Sequence, residues 1–123
     1  MNSIEETPWI LEKESLSVAL DAISNSNERT VFVISPDYRL EGVISEGDIV
    51  RAYRRGQIPT TPARDIMTSV PIYLNEELDA GELCELFVKT GVLLIPIVNS
   101  NGVLVGSQSS RLAVQSLLAK QVR

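Results

Sequence analysis

The stretch Arg39-Leu40-Glu41-Gly42-Val43-Ile44-Ser45-Glu46-Gly47-Asp48-Ile49 decides the fold, because the chain carries it twice. Moved 64 residues along, it falls on Val103-Leu104-Val105-Gly106-Ser107-Gln108-Ser109-Ser110-Arg111-Leu112-Ala113. Identities are few: Leu40 with Leu104, Gly42 with Gly106, Ser45 with Ser109, and Val50 with Val114 just beyond. The punctuation is what recurs. Each copy is a short extended run broken by one glycine, where a bulge or another backbone comes close. Each then reaches a serine, a residue type that caps helix N-termini. A repeat at fixed spacing outweighs any single motif.

Working outward, the halves align without a gap from about Thr7 to Arg55. Val31-Phe32-Val33-Ile34 and Ile95-Pro96-Ile97-Val98 read as buried strands, followed by turn residues at Ser35-Pro36-Asp37 and Asn99-Ser100-Asn101-Gly102. Leu40 to Ile44 and Val103 to Ser107 return as partner strands. Upstream, Ser15 and Asp79 start helices whose apolar stripes are Leu16, Ala19, Leu20, Ile23 and Leu83, Leu86, Phe87. Asn27 and Gly91 are the expected stops. Trp9-Ile10-Leu11 and Ile72-Tyr73-Leu74 suit short first strands, and Ser45 and Ser109 open second helices. Those helices carry Ile49, Val50, Ala52, Tyr53 and Ala113, Val114, Leu117, Leu118.

The predicted class is α/β (α+β): two βαββα repeats packed sheet to sheet with pseudo-two-fold symmetry, each covering the apolar face the other exposes. The first repeat is expected at 1–56, a linker at 57–70 and the second repeat at 71–123. Gly56 to Pro71 supplies a glycine and three prolines around the short apolar piece Ile66-Met67. Helical character persists through Leu118–Arg123, the expectation for a piece of a longer chain.

Composition narrows the function. The 123 residues include no histidine, which removes the commonest general base and metal ligand. Cys84 is the only cysteine, so neither an internal disulfide nor a cysteine metal framework is available, and its apolar setting reads as packing. No pair of carboxylates has a distinctive setting, so the chain is not expected to be an enzyme. A net charge of −5 argues against a nucleic-acid surface, and the cluster Arg51, Arg54, Arg55 reads as a solvated helix face. No apolar run approaches the ~20 residues that span a bilayer, and the acidic start does not resemble a signal peptide. A cytoplasmic location is expected.

The segment Arg39–Ile49 resembles the "G-hydrophobic-hydrophobic-S/T-x-x-D-hydrophobic" signature of cystathionine-β-synthase (CBS) domains. Ala63-Arg64-Asp65-Ile66-Met67-Thr68 is similar to their inter-repeat segment, and Ile95-Pro96-Ile97-Val98 to their second strand. The resemblance covers nearly the whole chain and implies a tandem pair, or Bateman module. Such a module is non-catalytic and regulatory. It takes an adenosine-type ligand (AMP, ADP, ATP or S-adenosylmethionine), requires no cofactor, and commonly forms a homodimer. Gly42 to Met67 further resembles modules attached to sugar-phosphate nucleotidyltransferases, which implies a fused or partner enzyme under control.

The resemblance also implies a site. Asp48 would accept from both ribose hydroxyls, a match of two acceptor oxygens to a vicinal diol. Ser45 would donate to ribose or phosphate beside the N–H groups of a helix start. Backbone near Val43, Leu94, Ile95 and Pro96 would frame the adenine, and Arg29 and Arg111 would meet phosphates. Leucines at 93 and 94, where strong phosphate binders of the family often carry His or Arg, imply a less charged ligand. Two other readings stay open: Ser-x-x-Asp is also nearly a capping box, and the arginines also fit plain solvation. The second repeat has Leu112 in place of Asp48, so one occupied site is expected. The rival expectation is an architectural dimerisation module that has lost its ligand.

Overall fold

A computed structural model describes residues 1–69 and 71–121. The expected linker and second repeat therefore reach, at 70 and at 122–123, positions outside the described residues. The chain runs β1 (Asn2–Ser3), β2 (Trp9–Leu11), α1 (Leu16–Ser24), β3 (Thr30–Ile34), β4 (Leu40–Ser45) and α2 (Glu46–Arg54). It continues through α3 (Ala80–Thr90), β5 (Leu94–Val98), β6 (Leu104–Ser109) and α4 (Ser110–Gln121). Short 3-10 turns lie at Ile4–Glu6 and Ala63–Asp65. The α+β class and the repeat are as the sequence predicts.

Two three-stranded sheets form, ordered β2-β3-β4 and β1-β6-β5. Side chains along β3 alternate between two cores, as the period-2 geometry of a strand requires. Val31 and Val33 join Ile10, Ala19, Ile23, Ile44 and Ala52 under α1 and α2. Phe32 and Ile34 face the other way and meet Leu94 and Leu104 of the second sheet. On the far side, Ile95 packs with Leu83, Phe87 and Ala113 beneath α3 and α4, with Cys84 partly buried alongside. The layers are therefore helices, sheet, sheet, helices, and the central core is shared by both halves.

Backbone bonds mark the pseudo-two-fold relation. Leu40 N–H donates to Gly102 O at 3.0 Å, and its repeat equivalent, Leu104 N–H, donates to Tyr38 O at 2.9 Å. The sheet edges are exchanged as well. Asn2 and Ser3, at the start of the first repeat, pair with β6 of the second. Thr68, which precedes the second repeat, bridges Val43 of the first through bonds of 3.0 and 2.8 Å. This exchange explains the two strand glycines. A Cβ at Gly42 would lie 2.6 Å from Thr68 O, and one at Gly106 would lie 2.5 Å from Asn2 O.

Ser15 and Asp79 cap α1 and α3 as expected, accepting from Val18 N–H and Glu82 N–H. Gly91 ends α3 with φ +73° in the left-handed region. Two expectations fail. First, α1 stops at Asn25, not Asn27, and Asn25 keeps a right-handed φ of −96°. The run Ser24-Asn25-Ser26-Asn27 has nothing apolar to bury, and its side chains compete for backbone groups. Second, Ile72-Tyr73-Leu74 is not a strand: only Leu74 bridges Ile97, while Ile72 and Tyr73 are exposed. The cause is one residue. In the first half Phe32 N–H donates to Pro8 O at 3.0 Å, starting the β2–β3 ladder. Pro96 stands at the equivalent position and has no N–H to give.

Candidate functional site

A cleft of about 500 Å³ opens where the two halves meet. Its polar end is the start of α2. There Ser45 caps the helix and Asp48, three residues on, folds its carboxylate back to close a capping box. Its walls are apolar: Val43 comes from β4, while Val92, Leu94 and Pro96 come from the second half. Of the predicted site residues, Asp48, Ser45, Val43, Arg29, Leu94 and Pro96 are brought together here. Two are not. Ile95, expected to contribute backbone, is absent from the cleft lining and turns its side chain into the core under α3 and α4. Arg111 lines a different cleft, where it approaches Glu28 at 3.8 Å.

That different cleft, about 450 Å³, is the repeat-related counterpart of the first. Leu112 occupies the place Asp48 holds in the first, so no carboxylate stands at the start of α4. Ser109 caps α4 all the same, accepting from Leu112 N–H at 3.2 Å. Helix capping in this fold thus works without the acid.

Asp48 is 8% exposed, and every acceptor position of its carboxylate is used. Oδ2 accepts from Ser45 N–H at 2.9 Å and from Ser45 Oγ at 3.1 Å. Oδ1 accepts from Arg51 Nη2 at 2.7 Å and from Thr68 Oγ1 at 3.3 Å. The sequence reading missed Arg51 and Thr68. Arg51 had looked like part of a solvated basic face, although the i,i+3 spacing from Asp48 was a signal. Thr68 arrives only through the edge exchange, which no local pattern announces.

Arg29 adopts φ +54°, uncommon for a residue with a side chain. Its guanidinium meets Glu46, the first residue of α2, at 3.0 Å. That hydrogen bond is the main reason the Glu46 carboxyl sits below the ordinary glutamate range. The cleft therefore carries Glu28, Glu46 and Asp48 against Arg29 and Arg51. Both of its arginines already hold a carboxylate. No group of three or more metal-ligating side chains occurs among the described residues, and no described helix is long and apolar enough to cross a membrane.

This architecture defines a two-repeat α+β module with one cleft for each repeat. The chain belongs to the CBS domain family, whose model matches residues 3–55 and 63–107. It is 28% identical over 107 residues to the arabinose 5-phosphate isomerase GutQ of Salmonella typhi, which covers 87% of this chain and 33% of GutQ. The chain likewise spans about a third of the length of most curated relatives it matches. Its fold resembles CBSX2 in complex with AMP, with a TM-score of 0.85 at 19% identity over 98% of this chain and 94% of that one. It also resembles the cytosolic domain of the Mg2+ channel MgtE in complex with ATP, with a TM-score of 0.72 at 22% identity over 97% of this chain and 46% of that one.

Proposed function

We propose that the chain is a non-catalytic regulatory module that takes one adenosine-type ligand in the Asp48 cleft. The carrying observation is the pairing of a carboxylate at the start of α2 with an apolar slot formed by the other half. A slot of about 500 Å³ suits a ligand of nucleoside size, with Val43, Leu94 and Pro96 flanking a flat base. Asp48 is the acceptor for the ribose diol, and Ser45 lies beside it. The AMP and ATP held by the two structural relatives support this ligand class. Control falls on an attached or partner enzyme. The match to a third of a sugar-phosphate isomerase supports the attached form, with a sugar-phosphate nucleotidyltransferase as the alternative partner.

Melting temperatures with AMP, ADP, ATP, adenosine and S-adenosylmethionine, on the wild type and Asp48→Ala, test this. Ligand at ~100 times its dissociation constant adds about 2.7 kcal/mol. A shift with one of them that is lost in Asp48→Ala is expected. No shift with any overturns the proposal.

One observation favours a second reading, an architectural dimerisation module. The Asp48 carboxylate is fully bonded without a ligand, and Val50, Tyr53, Val114 and Leu118 are exposed on the outer helices. A homodimer built on those helices, with no response to nucleotide, is its signature in sedimentation and melting experiments.

A further inference from the structure

We infer that Arg51 is a specificity-determining gate on the cleft, making access to Asp48 depend on the ligand's carrying a phosphate. The inference rests on the adenosine-type reading of the cleft and adds the rule by which the cleft chooses.

The argument starts from occupancy. A ribose diol needs acceptor oxygen from Asp48, and none is free. Ser45 holds Oδ2 through its own backbone and hydroxyl, within the helix cap, so that oxygen is fixed. Oδ1 is held by side chains only, the Arg51 guanidinium at 2.7 Å and the Thr68 hydroxyl at 3.3 Å. Of these, Arg51 gives the shorter, charge-assisted bond. Its side chain is 57% exposed, whereas Asp48 is 8% exposed. It also lines a second, polar recess that Asp48 and Thr68 share. A diol therefore enters by displacing Arg51 from Oδ1.

What the ligand returns to Arg51 decides the outcome. An uncharged nucleoside breaks a charge-assisted hydrogen bond and offers the guanidinium no anionic oxygen in exchange. A nucleoside 5′-phosphate takes over the guanidinium with its own oxygens, in the fork geometry that arginine favours. The resting place of Arg51 fits this exchange. The guanidinium lies over Gly47, where an added Cβ would stand 3.2 Å from Nη1. Gly47 is in the first turn of α2, where backbone N–H groups and the helix dipole also attract an anion. Arg29 is placed differently, because its partner is Glu46 and a diol that engages Asp48 does not displace it.

Two variants separate the gate from the site. Arg51→Met keeps the side-chain length and removes the charge. Gly47→Ala keeps the charge and crowds the place where the guanidinium rests. Calorimetric titration of adenosine and AMP is run on the wild type, both variants and Asp48→Ala. The wild type is expected to prefer AMP. In Arg51→Met, adenosine tightens by about threefold and AMP weakens by about threefold, so the preference falls by about tenfold; the exposure of Arg51 sets this modest scale. In Gly47→Ala, adenosine tightens while AMP binding persists. An unchanged AMP-to-adenosine ratio in Arg51→Met, or parallel weakening of both ligands, overturns the gate. If that occurs while Asp48→Ala still abolishes binding, the gate alone falls. If neither ligand binds any of the four proteins, or Asp48→Ala binds both as the wild type does, the site reading falls and the gate with it.

Discussion

Asp48 serves the fold before it serves any ligand. Replacing it with alanine removes the acceptor of the Ser45 N–H and leaves Arg51 and Thr68 without their partner. We expect Asp48→Ala to lose about 1–2 kcal/mol without ligand, the range for a lost cap or partner of a charged hydrogen bond. At roughly 4 °C per kcal/mol for a chain of this length, the melting temperature should fall visibly, so ligand shifts belong against the variant's own baseline. An unchanged melting temperature would mean that the capping box carries no stability. Gly42 and Gly106 make a matched pair of predictions. The added methyl of an alanine meets a carbonyl oxygen in each case, and backbone yields less readily than a side chain. Each substitution should cost about 1–3 kcal/mol. Gly106→Ala should also raise amide exchange at Asn2 and Ser3, and equal protection there would refute the close approach. The glycines were legible because a strand glycine has few other meanings. Asp48 was legible as three alternatives, ligand contact, cap or plain solvation, and the structure displays the cap. Arg51 was legible only as an i,i+3 spacing that a rotamer had to realise, and Thr68 was not legible, since its approach depends on the course of a linker 20 residues away.

Helices and strands followed the pattern where burial reinforced it and departed where one residue withheld a hydrogen bond. Both first helices start at their predicted caps, because a side-chain acceptor at that position satisfies an orphan N–H whatever the surroundings. The missing strand at Ile72–Leu74 had its cause in plain view, since proline inside a strand removes a ladder donor. Pro96→Val restores the donor in a buried site of similar volume. The amide of residue 96 should then be protected by Ile72 O, with net stability nearly unchanged, as a gain of about 1 kcal/mol offsets the lost rigidity of proline. A freely exchanging amide at residue 96 would show that something other than the proline keeps the segment off the sheet. The α3 cap carries a pH signature. The Asp79 carboxyl is held below the ordinary aspartate range, chiefly by the Glu82 N–H it accepts, while Glu82 is raised, chiefly by its hydrogen bond with Asp79. A lowered carboxyl binds fewer protons when folded. Its stabilisation is therefore present above the ordinary range, near pH 4, and is lost as pH falls through the lowered value. Glu82 acts in the opposite sense and offsets part of this. Asp79→Asn keeps a capping oxygen and removes the Asp79 titration together with the chief cause of the Glu82 shift, so the melting temperature of the variant should depend less on pH below about 4. Parallel acid profiles would place the acid sensitivity elsewhere.

At the scale of the molecule, the repeat and its sheet-to-sheet packing were readable because apolar alternation and turn chemistry are local and occur twice. The exchanged edges were not, since Asn2–Ser3 and Thr68 cross between halves that sequence spacing treats as separate. Their crossing makes one folding unit of two repeats. Each sheet is completed by a segment that belongs, in sequence, to the other half's approach, and the central core draws Phe32 and Ile34 from one sheet and Leu94 and Leu104 from the other. Neither half can bury its inner face or finish its edge alone. Unfolding should therefore be a single transition. The chain offers a direct probe, because Trp9 is its only tryptophan and packs against the shared core, edge-on to Tyr38 at 5.6 Å between ring centres. Tryptophan fluorescence reports the interface, while far-ultraviolet circular dichroism reports the helices of both halves. In urea the two curves should coincide for the wild type. Phe32→Ala, a fully buried ring removed from that core, should cost about 3–5 kcal/mol and shift both curves together. If fluorescence moved to lower urea while the dichroism stayed in place, each half would be holding its fold alone, and the cleft would lie between two independent bodies. If both moved together, what bears on the cleft bears on the whole chain, and a ligand seated between the halves stabilises them as one.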